Sequence, residues 1–220
     1  MNLAECAGEE MWPWFLAGAW FIQMGVHEGA HAEAAFRCGD DTAALLGKRT
    51  IIPIAHIEFT NPFALLVTVA LPILTAFGGY GVAMGMAWVP VNPLRFRHMY
   101  RDHALVALAG PAANLALSAF CLAVHAFVMP FVPADNSAFI GIESLLASVY
   151  LTSLAYGLFN LVPVPPLDGS MFVYWLAPPL RFAIDRMRPW GLLVVYLLFQ
   201  VDAVAIGFFL AVGRLASLFA

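Results

Sequence analysis

The chain has 220 residues, of which 62% are hydrophobic and 11% charged, with a formal net charge of −4 and a mean hydropathy of +0.84. A soluble domain carries about 25% charged residues, so this composition cannot cover a globular surface in water, and an ordinary soluble protein is excluded unless lipid solvates most of the exterior. The negative charge and the lack of any Lys/Arg block argue against nucleic acid as a partner, and Cys6, Cys38 and Cys121 show no C-x-x-C spacing that would suggest a disulfide framework or a thiolate metal site.

Residues 1–10 hold Glu5, Glu9 and Glu10 and no basic residue, which does not fit the positive start of a cleavable signal peptide and predicts mature protein. A spanning helix needs roughly 20 apolar residues. The first apolar run, 11–36, contains an H-E-x-x-H motif. The second, 62–89, is interrupted by Pro72 and Gly78-Gly79. The third covers 104–129, the fourth 139–162, and the last 190–212. These runs predict an all-α polytopic membrane protein, a bundle of about 4–6 transmembrane segments. No internal repeat, low-complexity tract or linker interrupts the chain, so residues 1–220 read as a single domain.

Basic residues near helix ends stay on the cytoplasmic side. Arg37, Lys48 and Arg49 follow the first run; Arg95, Arg97 and Arg101 follow the second; Arg181, Arg186 and Arg188 precede the last; the connection 130–137 has none. With the N-terminus outside, the loop after the first run is cytoplasmic. The next basic loop should then be cytoplasmic too, which a single crossing by 62–89 forbids. Either this run is a re-entrant hairpin turning near Gly78-Gly79, or it crosses and breaks the charge rule. The charges favour the hairpin, with non-helical backbone covered by protein or a cavity. Arg214 is then an exception on the outer side.

His27-Glu28-Gly29-Ala30-His31 lies inside the first run. Residues four apart share a helix face, so both imidazoles can reach one ion, and Glu28 sits one step round, close to the metal without ligating it. Two His ligands and a Glu base make a metalloprotease pattern. The plainer alternative is two packed histidines beside a Glu that reaches water. Cost argues against it, because an Asp, Lys or Arg at the centre of a spanning helix costs about 2.5–3.5 kcal/mol, and clustering His27, Glu28, His31 and Glu33 needs a compensating role. Glu33 lies nearer the cytoplasmic end and is expected in water. A catalytic zinc takes three protein ligands and keeps a fourth position open. Asp168 is the candidate third ligand, in the irregular stretch from Asn160 to Gly169, where Pro163, Pro165 and Pro166 forbid a regular helix. The alternative there is an exposed Asp-Gly turn.

H-E-x-x-H in the first spanning helix, followed by N-x-x-P-x-x-P-L-D-G at Asn160 to Gly169, resembles the site-2 protease family of intramembrane zinc metalloproteases. Arg101-Asp102 followed by Leu108-Ala109-Gly110-Pro111-Ala112-Ala113-Asn114 resembles the family's small-residue G-P segment. Ala55-His56-Ile57-Glu58 and Val89-Pro90-Val91-Asn92-Pro93 resemble compact bacterial members without a PDZ domain. The resemblance implies one Zn2+ per chain held by His27, His31 and Asp168, Glu28 as general base, and Asn160 binding the substrate or its oxyanion. It implies regulated intramembrane proteolysis: cleavage of a transmembrane protein or peptide substrate in the lipid bilayer of a bacterial plasma membrane, at a site toward the cytoplasm. It also implies a short membrane-associated β element at 49–57, whose edge would bind an unwound substrate by strand addition; a plain cytoplasmic loop is the equal alternative. Glu58 stands where related chains often have Asp. Oligomeric state and substrate identity are not legible.

Two other functions compete. A metal-binding membrane protein without proteolysis, such as a transporter, needs ligands but no base, so Glu28 argues against it. A different membrane zinc protease would take its third ligand from a downstream helical Glu, and Glu143 is expected on the outer side. Among single residues, His56 is expected to face water, and Asn114 to make an interhelical hydrogen bond without being a catalyst. Asp202, an acid in an apolar run, is a functional candidate by default. His98, His103 and His125 show no ligand spacing.

Overall fold

The computed structural model of the chain describes residues 11–79, 82–132 and 137–217; the expectation for residues 1–10, and part of the connection 130–137, lie outside them. The principal helices are α1 (Trp12–Cys38), α2 (Pro62–Phe77), α3 (Met99–Phe127), α4 (Ser137–Asn160), α5 (Gly169–Leu176), α6 (Arg181–Met187), α7 (Gly191–Phe199) and α8 (Asp202–Ala216). No β-strand occurs among the described residues.

Helices α1, α3 and α4 pack on one another and form the centre of the molecule. Their contacts use small side chains: Ala19 of α1, Cys121 of α3 and Ala147 of α4 meet with Val149, Tyr150 and Leu154 in one cluster. Without a hydrophobic force between helices in lipid, close approach of small residues and interhelical polar contacts supply the association. The usual arrangement is partly inverted: beside this apolar packing the bundle buries polar side chains, and large apolar ones cover its outside. Gln23, His27, Glu28, His31, Asn114, Ser118 and Ser148 are buried, whereas Trp14, Phe63, Leu74, Phe120, Phe127 and Phe131 stand on the outer surface. This inversion, together with the apolar helices, identifies a membrane protein.

Two helical stretches, Met99–Phe131 and Phe139–Asn160, are long and apolar enough to span a bilayer. Helix α1 has 27 residues, about 40 Å at 1.5 Å per residue, and falls short in hydropathy because Gln23, His27, Glu28 and His31 lie in it. The last apolar run is not one straight helix. It breaks at Gln200-Val201, where Val201 is extended, and α7 meets α8 at 82°; counted as one bent span, the pair makes a third. The break explains Asp202, which lies in the first turn of α8, where a carboxylate offsets the partial positive charge of the helix start.

Residues 62–92 form a hairpin. Asn61 accepts hydrogen bonds from the backbone N–H groups of Phe63 and Ala64 and starts α2 together with Pro62. A π-helical turn over Leu66–Ala70 carries α2 into Leu71–Phe77. At about 24 Å, α2 is shorter than the roughly 30 Å hydrocarbon layer. Gly79, at φ +77°, takes the left-handed conformation that glycine adopts without strain. The chain then returns without regular secondary structure from Val82, tied to the outgoing helix where Met86 N–H donates to Val67 O (3.0 Å) and Thr68 Oγ1 to Met86 O (2.7 Å). Trp20 of α1 holds α2 through Nε1–H to Thr68 O, and Tyr156 of α4 holds the return through the Gly85 N–H and Ala83 O. The returning end meets the C-terminus of α1: Asn92 N–H donates to Asp40 Oδ2 at 2.6 Å, Arg97 N–H to Cys38 O at 3.1 Å, and Arg95 pairs with Asp41.

The expected β element at 49–57 is instead an irregular stretch with one 3-10 turn, Pro53–His56. It lies against α1, where the Ile51 and Thr50 carbonyls press on Gly25 and Gly29 so closely that a Cβ on either glycine would stand 2.3 and 2.6 Å from them. His56, expected to face water, is 3% exposed and bonds Thr50 O at 2.9 Å through Nε2; packing of this stretch on α1 buries it.

Candidate metal centre

The site begins with the helical repeat of α1. His27 and His31 project from the same face, both buried, with their Nε2 atoms 3.0 Å apart and the ring planes at 84°. Asp168 comes from the turns between α4 and α5, where Val164 N–H donates to Val162 O and Leu167 N–H to Val164 O; its Oδ2 lies 3.2 Å from His27 Nε2 and 3.4 Å from His31 Nε2. Prolines here deny the chain a helix, and the resulting turns aim the carboxylate back at α1.

These residues fit a zinc ion. Two imidazole nitrogens and one carboxylate oxygen are the donor types zinc takes, and three protein donors leave a fourth position open. Tetrahedral bonds of about 2.0–2.1 Å put neighbouring donors about 3.4 Å apart, close to the 3.0–3.4 Å measured between them. Three donors brought so close to one point at the heart of a helix bundle could hold a metal ion.

Helix α3 supplies the floor under the two rings. Val106, Gly110 and Asn114 are four apart, as are Gln23, His27 and His31 on α1, and the two rows face each other. His31 Nδ1–H donates to Val106 O at 2.7 Å. Gly110 lies directly beneath: a Cβ there would come within 2.4 Å of His31 Nε2 and 2.7 Å of His27 Cε1. Asn114, fully buried, places its amide 3.1 Å from His27 Nδ1 and 2.8 Å from Gln23 Oε1. The sequence marks Gly110 as part of a small-residue segment and Asn114 as an interhelical hydrogen-bonding group, and does not single out Val106; their four-residue spacing was the available signal for a face, but not for what it meets.

A cavity of about 650 Å³ opens on the donors and brings the other expected residues together. Glu28, 5% exposed, lines it beside His27, and Asn160 lines it from the end of α4, donating one amide hydrogen to Tyr156 O at 3.1 Å. The non-helical hairpin residues Met86, Ala87, Trp88 and Val89 form one wall, and Leu192 of α7 lies on another. His103 and Arg188, which sequence reasoning did not single out for the site, also reach the cavity. The remaining candidates lie elsewhere. Glu33 pairs with Arg37 and Arg49, Glu58 with Lys48, and Glu143 faces His125 at 4.0 Å, away from the α1 histidines.

No family model and no solved structure matches the chain. Curated relatives do. The chain is 34% identical to "putative zinc metalloprotease YwhC" of Bacillus subtilis over 81% of its own length and 76% of the relative's. It is 32% identical to "putative zinc metalloprotease Rip2" of Mycolicibacterium smegmatis over 86% of itself and 68% of that protein. With the Rip2 of Mycobacterium tuberculosis it shares 31% identity over 92% of itself and 82% of the relative. These likenesses favour a metalloprotease over a transporter, and the chain belongs to the site-2 protease family of zinc metalloproteases.

Proposed function

We propose that the protein is an intramembrane zinc metalloprotease that hydrolyses peptide bonds in or near the transmembrane segments of membrane-protein substrates, as in regulated intramembrane proteolysis. One observation carries the reading: His27, His31 and Asp168 converge beside Glu28 and Asn160 on a single cavity inside an apolar-faced helical bundle. His27, His31 and Asp168 hold one ion per chain. Bound zinc supplies a Lewis acid that brings the pKa of a water molecule toward about 7 and polarises a carbonyl.

The residues then divide the work. Glu28 removes the proton from the attacking water and returns it to the leaving amine, so its carboxylate serves as base and then as acid. Asn160 has a second amide hydrogen beyond the one given to Tyr156, and this hydrogen steadies the developing oxyanion. A helical substrate hides its peptide bonds and must unwind first. The non-helical Met86–Val89 stretch lines the cavity and is the backbone against which an unwound segment would lie; the stretch 49–57, outside the cavity, is not needed for it.

In this reading the chain is a multi-pass protein of a bacterial plasma membrane, N-terminus outside, with the site toward the cytoplasm and residues 62–92 re-entering from that side. The basic residues support it, since Arg37, Arg95 and Arg97 gather at the C-terminal end of α1, where the return of the hairpin ends. A metal carrier would have no use for Glu28 beside the donors.

The test is zinc content and cleavage of a transmembrane peptide in liposomes. Wild type should hold about one zinc per chain and cleave; Asp168→Ala should lose zinc under mild chelation. Glu28→Gln should keep zinc and lose activity about 10²–10⁴-fold. Zinc-free wild type would overturn the metalloprotease assignment, and a fully active Glu28→Gln would remove that residue from the chemistry.

A further inference from the structure

We infer that Asn114, braced by Gln23, is the positioning residue for His27: its side-chain oxygen accepts the His27 Nδ1 hydrogen and fixes the ring so that Nε2 presents a lone pair to the metal. The inference rests on the reading of His27 as a ligand. It starts from the sister residue. His31 Nδ1 faces the Val106 carbonyl at 2.7 Å, a group that can only accept, so the hydrogen of His31 is on Nδ1 and its Nε2 is bare. His27 must adopt the same tautomer if its Nε2, 3.0 Å from that of His31 and 3.2 Å from Asp168, is to bind the same ion.

The group that faces His27 Nδ1 is the Asn114 amide at 3.1 Å. A side-chain amide presents either its oxygen or its nitrogen to a given neighbour by a half-turn, and the hydrogen-bond network decides which. A ligating His27 needs an acceptor at that place, so the oxygen belongs there. The same atom lies 2.8 Å from the end of Gln23, which must then turn its own NH2 toward Asn114. The oxygen thus takes two hydrogens on its two lone pairs: one from Gln23, one from His27. Both residues are buried, at 0% and 2% exposure, so water does not compete for either contact. Outer groups of this kind set the tautomer and orientation of a ligating imidazole, and their loss typically weakens metal binding 10–100-fold.

The orientation of the pair makes opposite demands on two near-isosteric changes. Asn114→Asp keeps an acceptor toward both His27 and Gln23. Gln23→Glu places a second acceptor against the Asn114 oxygen. Zinc affinity of the purified full chain is measured by chelator competition, alongside the visible spectrum of the Co2+-loaded protein and its helical circular dichroism. Asn114→Asp is expected to bind zinc within a few-fold of wild type with an unaltered cobalt spectrum. Asn114→Leu and Gln23→Glu are expected to weaken zinc about 10–100-fold and to shift the cobalt bands at unchanged helix content.

The reverse ranking, with Gln23→Glu tolerated and Asn114→Asp impaired, would show that Asn114 donates to His27 and overturn the inference. Wild-type affinity in a folded Asn114→Leu would overturn it as well. Wild-type zinc binding that His27→Ala abolishes upholds the ligand reading independently. Without zinc binding in the wild type, both fall.

Discussion

A methyl group at position 110 would enter the space that the two imidazole rings use, within 2.4 Å of His31 Nε2. The atoms it meets are a buried ligand ring and its donor nitrogen, neither of which can swing aside without leaving the metal position. Gly110→Ala should therefore reduce zinc affinity at least about tenfold, in the range seen when a ligand's supporting shell is disturbed, while alanine's helix propensity leaves α3 intact. Zinc binding and circular dichroism on the same sample check this; stoichiometric, tightly held zinc in Gly110→Ala would mean that the rings do not sit on this floor. At this scale the sequence was informative where chemistry and spacing coincide within one segment. H-E-x-x-H places two donors on one helical face with a base one step round, and the proline-broken stretch before Asp168 fitted a site better than an exposed turn. Gly110 was legible only as a packing residue, Asn114 only as an interhelical hydrogen-bonding group and Val106 not at all, because their roles depend on which helix face lies opposite, and no local pattern states that.

Asp40 joins the end of α1 to the end of the hairpin. It is fully buried, accepts from the Thr42 hydroxyl and N–H and from Asn92 N–H, and so ties the exit of α1 to the end of the return. Burial pushes its pKa up, but the Thr42 hydroxyl, the Asn92 and Thr42 N–H groups and the nearby Arg95 charge outweigh it and hold the carboxyl below its ordinary value. A depressed folded-state pKa gives stability that is fully present above the unfolded value, near 3.9, and lost as pH falls through the folded one. Asp40→Ala should thus lower stability by about 1.5–3 kcal/mol near neutral pH, the worth of hydrogen bonds to a charged acceptor. The gap to wild type should narrow below about pH 4. Unfolding of both proteins in micelles across this pH range measures it; a gap that persists in acid would assign the effect to packing and not to the carboxylate. The hairpin itself was legible, since one crossing would have put two basic loops on opposite sides and Gly78-Gly79 offered the turn. The break between α7 and α8 was not: neither Gln200 nor Val201 is a helix breaker of the Pro or Gly kind, and a continuous apolar run conceals it.

The whole molecule solves a problem of solvent. Its polar groups converge on the cavity between α1, α3, α4 and the hairpin, while its large apolar side chains face outward, so the bilayer stabilises the exterior and the interior alone can host water and a metal. The reading that the hairpin re-enters instead of crossing has a consequence at this scale. Leu46 lies in the loop after α1, Leu94 lies after the hairpin return, and Phe131 lies at the far end of α3; all three are exposed, at 61%, 83% and 85%. With native cysteines replaced, Leu46→Cys and Leu94→Cys should resist a membrane-impermeant thiol reagent in intact cells and react after permeabilisation. Phe131→Cys should react in intact cells. If Leu94→Cys were labelled from outside and Leu46→Cys only from inside, residues 62–92 would cross the membrane, and the contacts of Asn92 with Asp40 and of Arg97 with Cys38 could not exist in the bilayer. If both loops were labelled from outside, the hairpin would stand and the orientation would be reversed, carrying the mouth of the metal site to the other face. The labelling pattern thus reads the path of the hairpin and the side of the site separately, because the first depends on whether Leu46 and Leu94 agree and the second on which side they share.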